Sequence, residues 1–331
     1  MKEKYCPPFT MTDKITNIVI EIGELIGRIS SYDSLSTNPK LRRANRIKTI
    51  HSSLAIENNT LSIEQATDII DGKHVLAPPQ DIREVKNAYE AYEHFQSFDP
   101  YSIEDLLKAH KFMMNDLTKD AGRFRTENVG VYSGPVLVHA GSPADYVPEL
   151  VADLFDWLKN SKLPPLVKSC VFHFEFEFIH PFSDGNGRTG RLWQSLILSN
   201  WKSFFAWLPV ETMIWNNQQE YYNAIEKSDN EGNSNAFVEF MLNMIKETLS
   251  EIVRDQTASN VGINVGINVG INSEEKVVEL LRTSPSLSAS KIALKLKITT
   301  RQVERIIAKL KKENRLKHVG SNKKGYWEIL D

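Results

Sequence analysis

Residues 178–194 read FIHPFSDGNGRTGRLWQ, and they constrain the local fold more tightly than any other stretch of the chain. An aromatic-rich helical segment ends there, a Gly-Asn-Gly turn follows, and apolar residues at helical spacing resume from about residue 187. A glycine turn leading into a helix leaves backbone N–H groups facing outward at the positive end of a dipole, which makes an anion site. Arg188 and Arg191 lie three apart on the new helix and share a face. Two guanidinium forks beside such a nest suit a polyphosphate better than a single carboxylate. Asp184, just before the turn, is placed to hold Mg2+, which commonly takes one or two carboxylates and completes its shell with phosphate oxygens and water. His180 stands upstream, where an imidazole can take a proton from an attacking hydroxyl. These parts together point to in-line phosphoryl or nucleotidyl transfer.

The rest of the chain is patterned mainly for helices. With 331 residues it is too long for one ordinary core, so two or three domains are expected. Apolar residues recur at helical spacing over 11–30, 40–57, 62–71 and 79–97, which predicts a helical N-terminal region over 1–98. Helices are expected again at 102–118, capped by Ser102 with Asp105 three residues on, and at 145–160, from Pro164-Pro165 to Phe178, and over 187–200, 216–228 and 234–255. Within this second region, 99–255, residues 129–147 are rich in Val, Gly and Pro and read as a short β-hairpin flap. Residues 260–272 repeat NVGI. Gly and Asn at every turn disfavour a helix, so 256–272 reads as a linker, with a self-pairing strand as the alternative. The last segment, 273–331, predicts helices at 274–283 and 289–296, a third from a Thr299/Gln302 capping box to Glu313, and two short strands.

His180-Pro181-Phe182-Ser183-Asp184-Gly185-Asn186-Gly187-Arg188-Thr189-Gly190-Arg191 resembles the Fic motif, HxFx[D/E]GNGRxxR, at every specified position. The resemblance covers about residues 100–250, and Gly122–Arg125 with the flap look like the region that precedes the motif in that family. It implies a helical core with a flap that moves AMP from ATP onto a Ser, Thr or Tyr hydroxyl of a target protein. His180 would be the general base and Asp184 the Mg2+ ligand. Gly185, Asn186 and Gly187 would cradle the α- and β-phosphates, Arg188 would hold the β-phosphate and Arg191 the γ-phosphate. Phe182 would anchor the loop, and the flap would align the target segment as an added strand. The pair Tyr221-Tyr222 would line an adenine pocket, with core packing as the other reading.

Residues 53–58, SLAIEN, match the short [S/T]xxxE[G/N] pattern of Fic inhibitory helices, with Ser53 and Glu57 at its fixed positions. Glu57 falls at a helix end before Asn58-Asn59, where a carboxylate faces the negative end of the dipole. A distant cation would offset that cost, and Arg191 is the natural partner; a plain surface carboxylate is the alternative. Cys170 and His173, three apart, lack a third catalytic group and read as core residues, as does His110.

Charge separates the tail from the rest. Residues 273–331 carry 14 Lys+Arg against 7 Asp+Glu, whereas the remainder carries 26 against 35. Their pattern is similar to winged-helix domains. If the tail meets DNA, Arg301, Arg305, Lys309 and Lys312 would face the major groove and Lys323 and Lys324 would neutralise phosphates; a protein-docking surface is the other reading. The expected fold is therefore mainly α, a helical Fic core with a short β-hairpin flap, preceded by a helical region and followed by a small α/β winged-helix domain. Two cysteines, no signal-peptide pattern and no long apolar run fit a soluble cytoplasmic protein without membrane contact. Homodimerisation, removal of AMP, transfer of another phosphate group, and regulation of transcription with the core as nucleotide sensor stay open at this level.

Overall fold

The computed structural model describes residues 5–30, 38–133, 136–260, 277–278, 280–282, 284–285, 287–296, 300–312, 315–319 and 326–330. The chain divides into two compact units, Met1–Thr257 and Ala258–Asp331. In the first unit, α1 (Asp13–Ser30) buries a stripe of Ile15, Ile18, Ile22, Ile26 and Ile29 at helical spacing. It is followed by α2 (Pro39–Ile56), α3 (Ile63–Ile70), α4 (Pro79–Glu93) and α5 (Ile103–Met114). Ser102 caps α5 through its hydroxyl, which accepts from the Asp105 amide. The Asp105 carboxylate accepts from the Asp99 amide instead of closing a capping box. The hairpin joins β1 (Gly130–Ser133) to β2 (Val136–Ala140), antiparallel with an irregularity between Val131 and Tyr132.

Next come α6 (Val147–Asn160), α7 (Pro165–Ile179), α8 (Asn186–Trp201), α9 (Val210–Asn216), α10 (Gln218–Glu231) and α11 (Asn235–Asn260). α7 is apolar nearly all round, with Phe172, Phe176, Val171 and Cys170 fully buried, so it must sit at the centre of its unit. It packs along α8, and the turn between them carries the motif. Several boundaries differ from the sequence pattern. The 79–97 helix breaks at His94 into a single 3-10 turn, Phe95–Ser97, and the 102–118 helix stops at Met114. A 3-10 turn at Ser203–Trp207 and α9 have no counterpart in the sequence reading. Both are too short to show a period, and the residues they bury are set by tertiary contacts.

In the second unit, helical backbone at 277–278 and 280–282 is followed by α12 (Ala289–Leu296), α13 (Thr300–Lys312), β3 (Leu316–Val319) and β4 (Tyr326–Ile329). Val277, Leu281, Ile292, Val303, Leu310 and Leu316 form its own apolar core. The NVGI repeat and Thr299 lie outside the described residues. Among the described residues no helix is long and apolar enough to cross a membrane.

An extended segment before α1 is tied to the core by polar contacts. The Ser234 amide donates to the Pro8 carbonyl at 2.9 Å, and Thr10 and Asn235 exchange two hydrogen bonds. Tyr5 donates its hydroxyl to Glu175 Oε2 at 2.5 Å. Glu175 sits on α7 and is buried, and burial pushes its carboxyl from 4.5 up to about 7. A carboxyl with a raised folded pKa holds a proton in the fold that the unfolded chain has already released. Its contribution is therefore complete below pH 4.5 and is lost as pH rises through 7. Glu175→Gln keeps the contact with Tyr5 and does not titrate. Relative to wild type it is expected to gain stability from about pH 5 to about pH 8, with a ceiling of about 3 kcal/mol. Denaturant titrations of both proteins at the two pH values measure it, and parallel pH slopes would contradict the burial of a titrating Glu175.

Candidate active site

α7 ends in a left-handed residue, His180, at φ 53° and ψ 60°. A side chain other than glycine occupies that region at some cost, so surrounding bonds must hold it. They do: the His180 amide donates to the Phe176 carbonyl at 3.0 Å, and its own carbonyl accepts from Arg125 Nε at 2.7 Å. Arg125 is buried and fans its other nitrogens to the carbonyls of Glu127, Ser142 and Ile179. One guanidinium thus ties the two ends of the hairpin to the end of α7. Nδ1 of His180 lies 3.4 Å from the Glu177 carbonyl. A proton held there makes Nε2 the basic nitrogen.

The turn after His180 is closed by side chains. Phe182 donates its amide to Asn186 Oδ1 at 2.9 Å, and Asn186 Nδ2 donates back to the Phe182 carbonyl at 2.9 Å. The Asn186 side chain is therefore committed to the loop, and only its backbone faces the anion site. Gly185 has φ 80°, and a Cβ there would lie 2.5 Å from Met114 Sδ. His110 stacks on Phe182 with centroids 3.6 Å apart. Its Nδ1 accepts from the Gly122 amide at 2.9 Å, so Nε2 carries the proton and donates to the Asp184 carbonyl at 3.0 Å. Burial lowers the His110 pKa to about 4, which keeps this tautomer neutral.

α8 then presents both arginines from within the protein. Arg191 is 2% exposed. Its Nε donates to Ser53 Oγ at 3.1 Å, and its Nη2 donates to the Ser53 carbonyl at 2.9 Å and to Glu57 Oε1 at 2.7 Å. Burial alone would lower the Arg191 pKa, yet the facing Glu57 charge leaves it above the ordinary arginine value. Glu57 is the C-cap residue of α2, and Asn58 after it has φ 67°. Its carboxylate lies directly over Gly187, where an added Cβ would collide with Oε1. Glycine at 187 thus lets an anionic oxygen approach the first turn of α8. Arg188 is also buried; Nη1 lies 3.5 Å from Glu84 Oε1 and Nη2 lies 3.4 Å from Asp184 Oδ1. Glu84 in turn accepts from Asn59 Nδ2 at 2.8 Å, which links Arg188 to the end of α2.

Two observations bear on a polyphosphate and a metal. Among the described residues the buried Arg188 Nε and Nη1 have no hydrogen-bond partner, a poor state for a guanidinium unless an anion supplies one. The Asp184 side chain is 63% exposed and takes the Gly185 amide on Oδ1. Among the described residues no three His, Cys, Asp or Glu side chains converge on a metal position. One open carboxylate beside a phosphate site fits Mg2+, which completes its shell from phosphate and water, and does not fit a zinc cage.

The other expected residues separate. Tyr221 is buried, with its hydroxyl 3.3 Å from His173 Nε2, so it is a core residue and not a pocket wall. Tyr222 is 43% exposed and donates to the Ile56 carbonyl beside Glu57. Cys170 and His173 are both buried, and His173 Nδ1 lies 2.6 Å from Gln194 Oε1. Of the basic residues in the tail, Lys309 is exposed on α13. The side chains of Arg301, Arg305 and Lys312, and residues Lys323 and Lys324, lie outside the described residues. Sequence reasoning missed Arg125, Glu84 and the positioning role of His110. Arg125 stands out only within the Gly122–Arg125 stretch that resembles the family, and nothing in local pattern marks Glu84 or the role of His110.

His110→Phe keeps the stack on Phe182 but leaves the Gly122 amide and Asp184 carbonyl unmet. A cost of roughly 2–4 kcal/mol is expected from two such losses. Denaturant unfolding of variant and wild type at neutral pH measures it; unchanged stability would mean that neither bond matters to the loop.

Comparison with known proteins agrees with this geometry. Residues 98–198 match the Fic/DOC family. The chain is 30% identical over 266 residues to protein adenylyltransferase fic-1 of Caenorhabditis elegans, covering 75% of this chain and 49% of that protein. It is 26% identical over 232 residues to protein adenylyltransferase Fic of Nematostella vectensis, covering 64% and 50%. The chain thus spans about half the length of the curated relatives it matches. A solved Fic family protein from Desulfovibrio desulfuricans G20 is 41% identical, with a TM-score of 0.73 and 98% of each chain covered. The solved Fic-1 of C. elegans, 23% identical with a TM-score of 0.59, shares the fold. On a match that runs through both units at this identity, the chain belongs to the Fic family.

Proposed function

We propose that this protein is an adenylyltransferase that moves AMP from ATP onto a Ser, Thr or Tyr hydroxyl of a target protein, and that Glu57 restrains it. The observation that carries this is the carboxylate of Glu57 resting over Gly187 while it pairs with buried Arg191. A carboxylate at a helix N-terminus beside a guanidinium stands where a terminal phosphate oxygen would bind. The pair is asymmetric: the Arg191 side chain is 1% exposed and that of Glu57 34%. The arginine stays buried whichever anion serves it, and the carboxylate can leave to water.

In this reading the turn at Gly185, Asn186 and Gly187 receives the phosphates through backbone N–H groups. Arg188 brings unpartnered nitrogens to the β-phosphate, and Arg191 reaches the γ-phosphate once Glu57 has moved. Asp184 would hold Mg2+, which when bound neutralises charge that develops on the phosphates. His180 takes the proton from the target hydroxyl through Nε2. The hydroxyl oxygen bonds to the α-phosphorus while the bond to the bridging oxygen breaks and pyrophosphate leaves. The hairpin over 130–140 would align the target segment by strand pairing, since Arg125 fixes its two ends beside His180. Tyr222, exposed and bonded to the Ile56 carbonyl beside Glu57, would meet the adenine. Regions 1–98 and 99–255 would act as inhibitory and catalytic parts of one unit, in the cytoplasm, where free Cys6 and Cys170 stay reduced.

A labelled-ATP assay tests this, with the label placed at the α- or the γ-phosphate. Glu57→Gly is expected to raise α-label transfer, including self-modification, by roughly tenfold or more, about 1.4 kcal/mol of barrier. Adding Arg191→Ala should abolish the gain, and adding His180→Ala should lower transfer ~10²–10⁴-fold while nucleotide still binds. Equal activity of wild type and Glu57→Gly would refute the restraint. Label carried only from the γ-position would refute AMP transfer.

We further propose that the second unit is a winged-helix domain that binds duplex DNA. α12 and α13 followed by the β3–β4 hairpin support this, as does the excess of basic residues over 273–331. Gel-shift titrations of the full chain in rising salt should give a log–log slope of about 0.9 for each phosphate neutralised, lowered by about one in Lys309→Glu. Absence of any shift at low salt would leave this unit a protein-docking module.

A further inference from the structure

α2 carries a second cationic cluster toward the end away from Glu57. Arg42 and Arg46 lie four apart on one face of the helix, with Arg43 beside them. With Tyr89 and Glu93 of α4 and with Trp207 they line a cavity of about 360 Å³, within the size range of small-molecule sites. Its floor is rigid. Arg46 is 6% exposed, and its guanidinium lies 4.7, 5.3 and 4.8 Å from the ring centres of Tyr92, Phe95 and Trp207. Arg42 lies 5.1 Å from the Trp207 ring, and Asn45 Nδ2 fixes that wall by donating to the Trp207 carbonyl at 3.0 Å.

Aromatic rings serve the faces of a guanidinium and leave its N–H edges unmet. Among the described residues none is seen to accept a hydrogen bond from the Arg46 guanidinium, and the Glu211 and Glu93 charges act on it from beyond ion-pairing distance. Arg46 lines the cavity, where an added anion can meet its guanidinium N–H edges. Arg43 is already engaged with Asp71, so Arg42 and Arg46 are the donors. The backbone at the start of α2 is not a competitor, because Asn38 Oδ1 already accepts from the Lys40 and Leu41 amides. Two neighbouring forks offer more N–H groups than the two oxygens of a carboxylate accept; three phosphate oxygens match them better. Glu93 and the Tyr89 phenol line the same cavity and suit hydroxyl groups.

We propose that this cavity binds a small phosphomonoester, with its phosphate on Arg42 and Arg46 and its hydroxyl groups against Glu93 and Tyr89. The site is separate from the nucleotide site. Arg46 and Glu57 lie eleven residues apart on α2, about 16 Å along the helix.

Calorimetric titration of the full chain with ribose 5-phosphate and with inorganic phosphate tests this without recourse to AMP transfer. Wild type is expected to bind ribose 5-phosphate more tightly than phosphate. Arg42→Gln and Arg46→Lys should each weaken ribose 5-phosphate at least roughly tenfold, since each removes one fork at a bidentate site. Arg188→Ala, which disables the nucleotide site, should leave that affinity unchanged. Should Arg46→Lys fail to fold, Arg42→Gln at the cavity mouth carries the comparison. Failure of wild type to bind either probe overturns the proposal, as does binding that survives both α2 variants or is lost in Arg188→Ala.

Discussion

Arg191 sets the terms for the rest of this protein. A guanidinium brought almost wholly out of water needs partners, and the protein supplies Nε and Nη2 with the Ser53 hydroxyl and carbonyl and with Glu57. Those partners come from α2, more than 130 residues earlier in the chain, so the ion pair fixes where that helix packs against α8. The packing also explains why α2 buries Ser53, whose hydroxyl and carbonyl both serve Arg191. In the proposed reading regulation and fold are carried by the same contact, and release of Glu57 would leave the two Ser53 bonds to keep the helix in place.

Around that contact the reactive loop is held mostly by neutral groups. Asn186 closes the turn, His110 joins it to Gly122, and Arg125 donates to carbonyls and not to carboxylates. Such bonds position the loop without cancelling the positive field that a polyphosphate needs. Arg188 follows the same pattern: Glu84 and Asp184 stand near enough to balance its charge, yet among the described residues two of its nitrogens keep no hydrogen bond. Charge is stored at the site and left available.

α2 then emerges as a helix with a buried arginine at each end of its working face. Arg46 rests among three rings at one end, and at the other Glu57 meets Arg191. Next to Arg46 the helix is pinned by Asn45 to the Trp207 carbonyl, and between the two by Ser52 to Thr212. The ligand proposed for the Arg46 end would touch the same helix that presents Glu57.

Much of this was legible in the sequence. The motif at 180–191 placed its own glycines, arginines and acid, because a turn and the first turn of a helix are local structures set by neighbouring residues. Helical periodicity located most helices, and the Glu57 pattern named a partner that the tertiary structure does bring to 2.7 Å. What the sequence could not decide were contacts made across the chain by residues with no local signature. Whether Tyr221 or Tyr222 faces the site depends on which side of α10 packs on His173, and that is fixed only when α7 is in place. Arg125, Glu84, His110 and Arg46 look like ordinary helix or loop residues until folding buries them, for a side chain acquires its charge state and its partners from the neighbours that tertiary packing supplies.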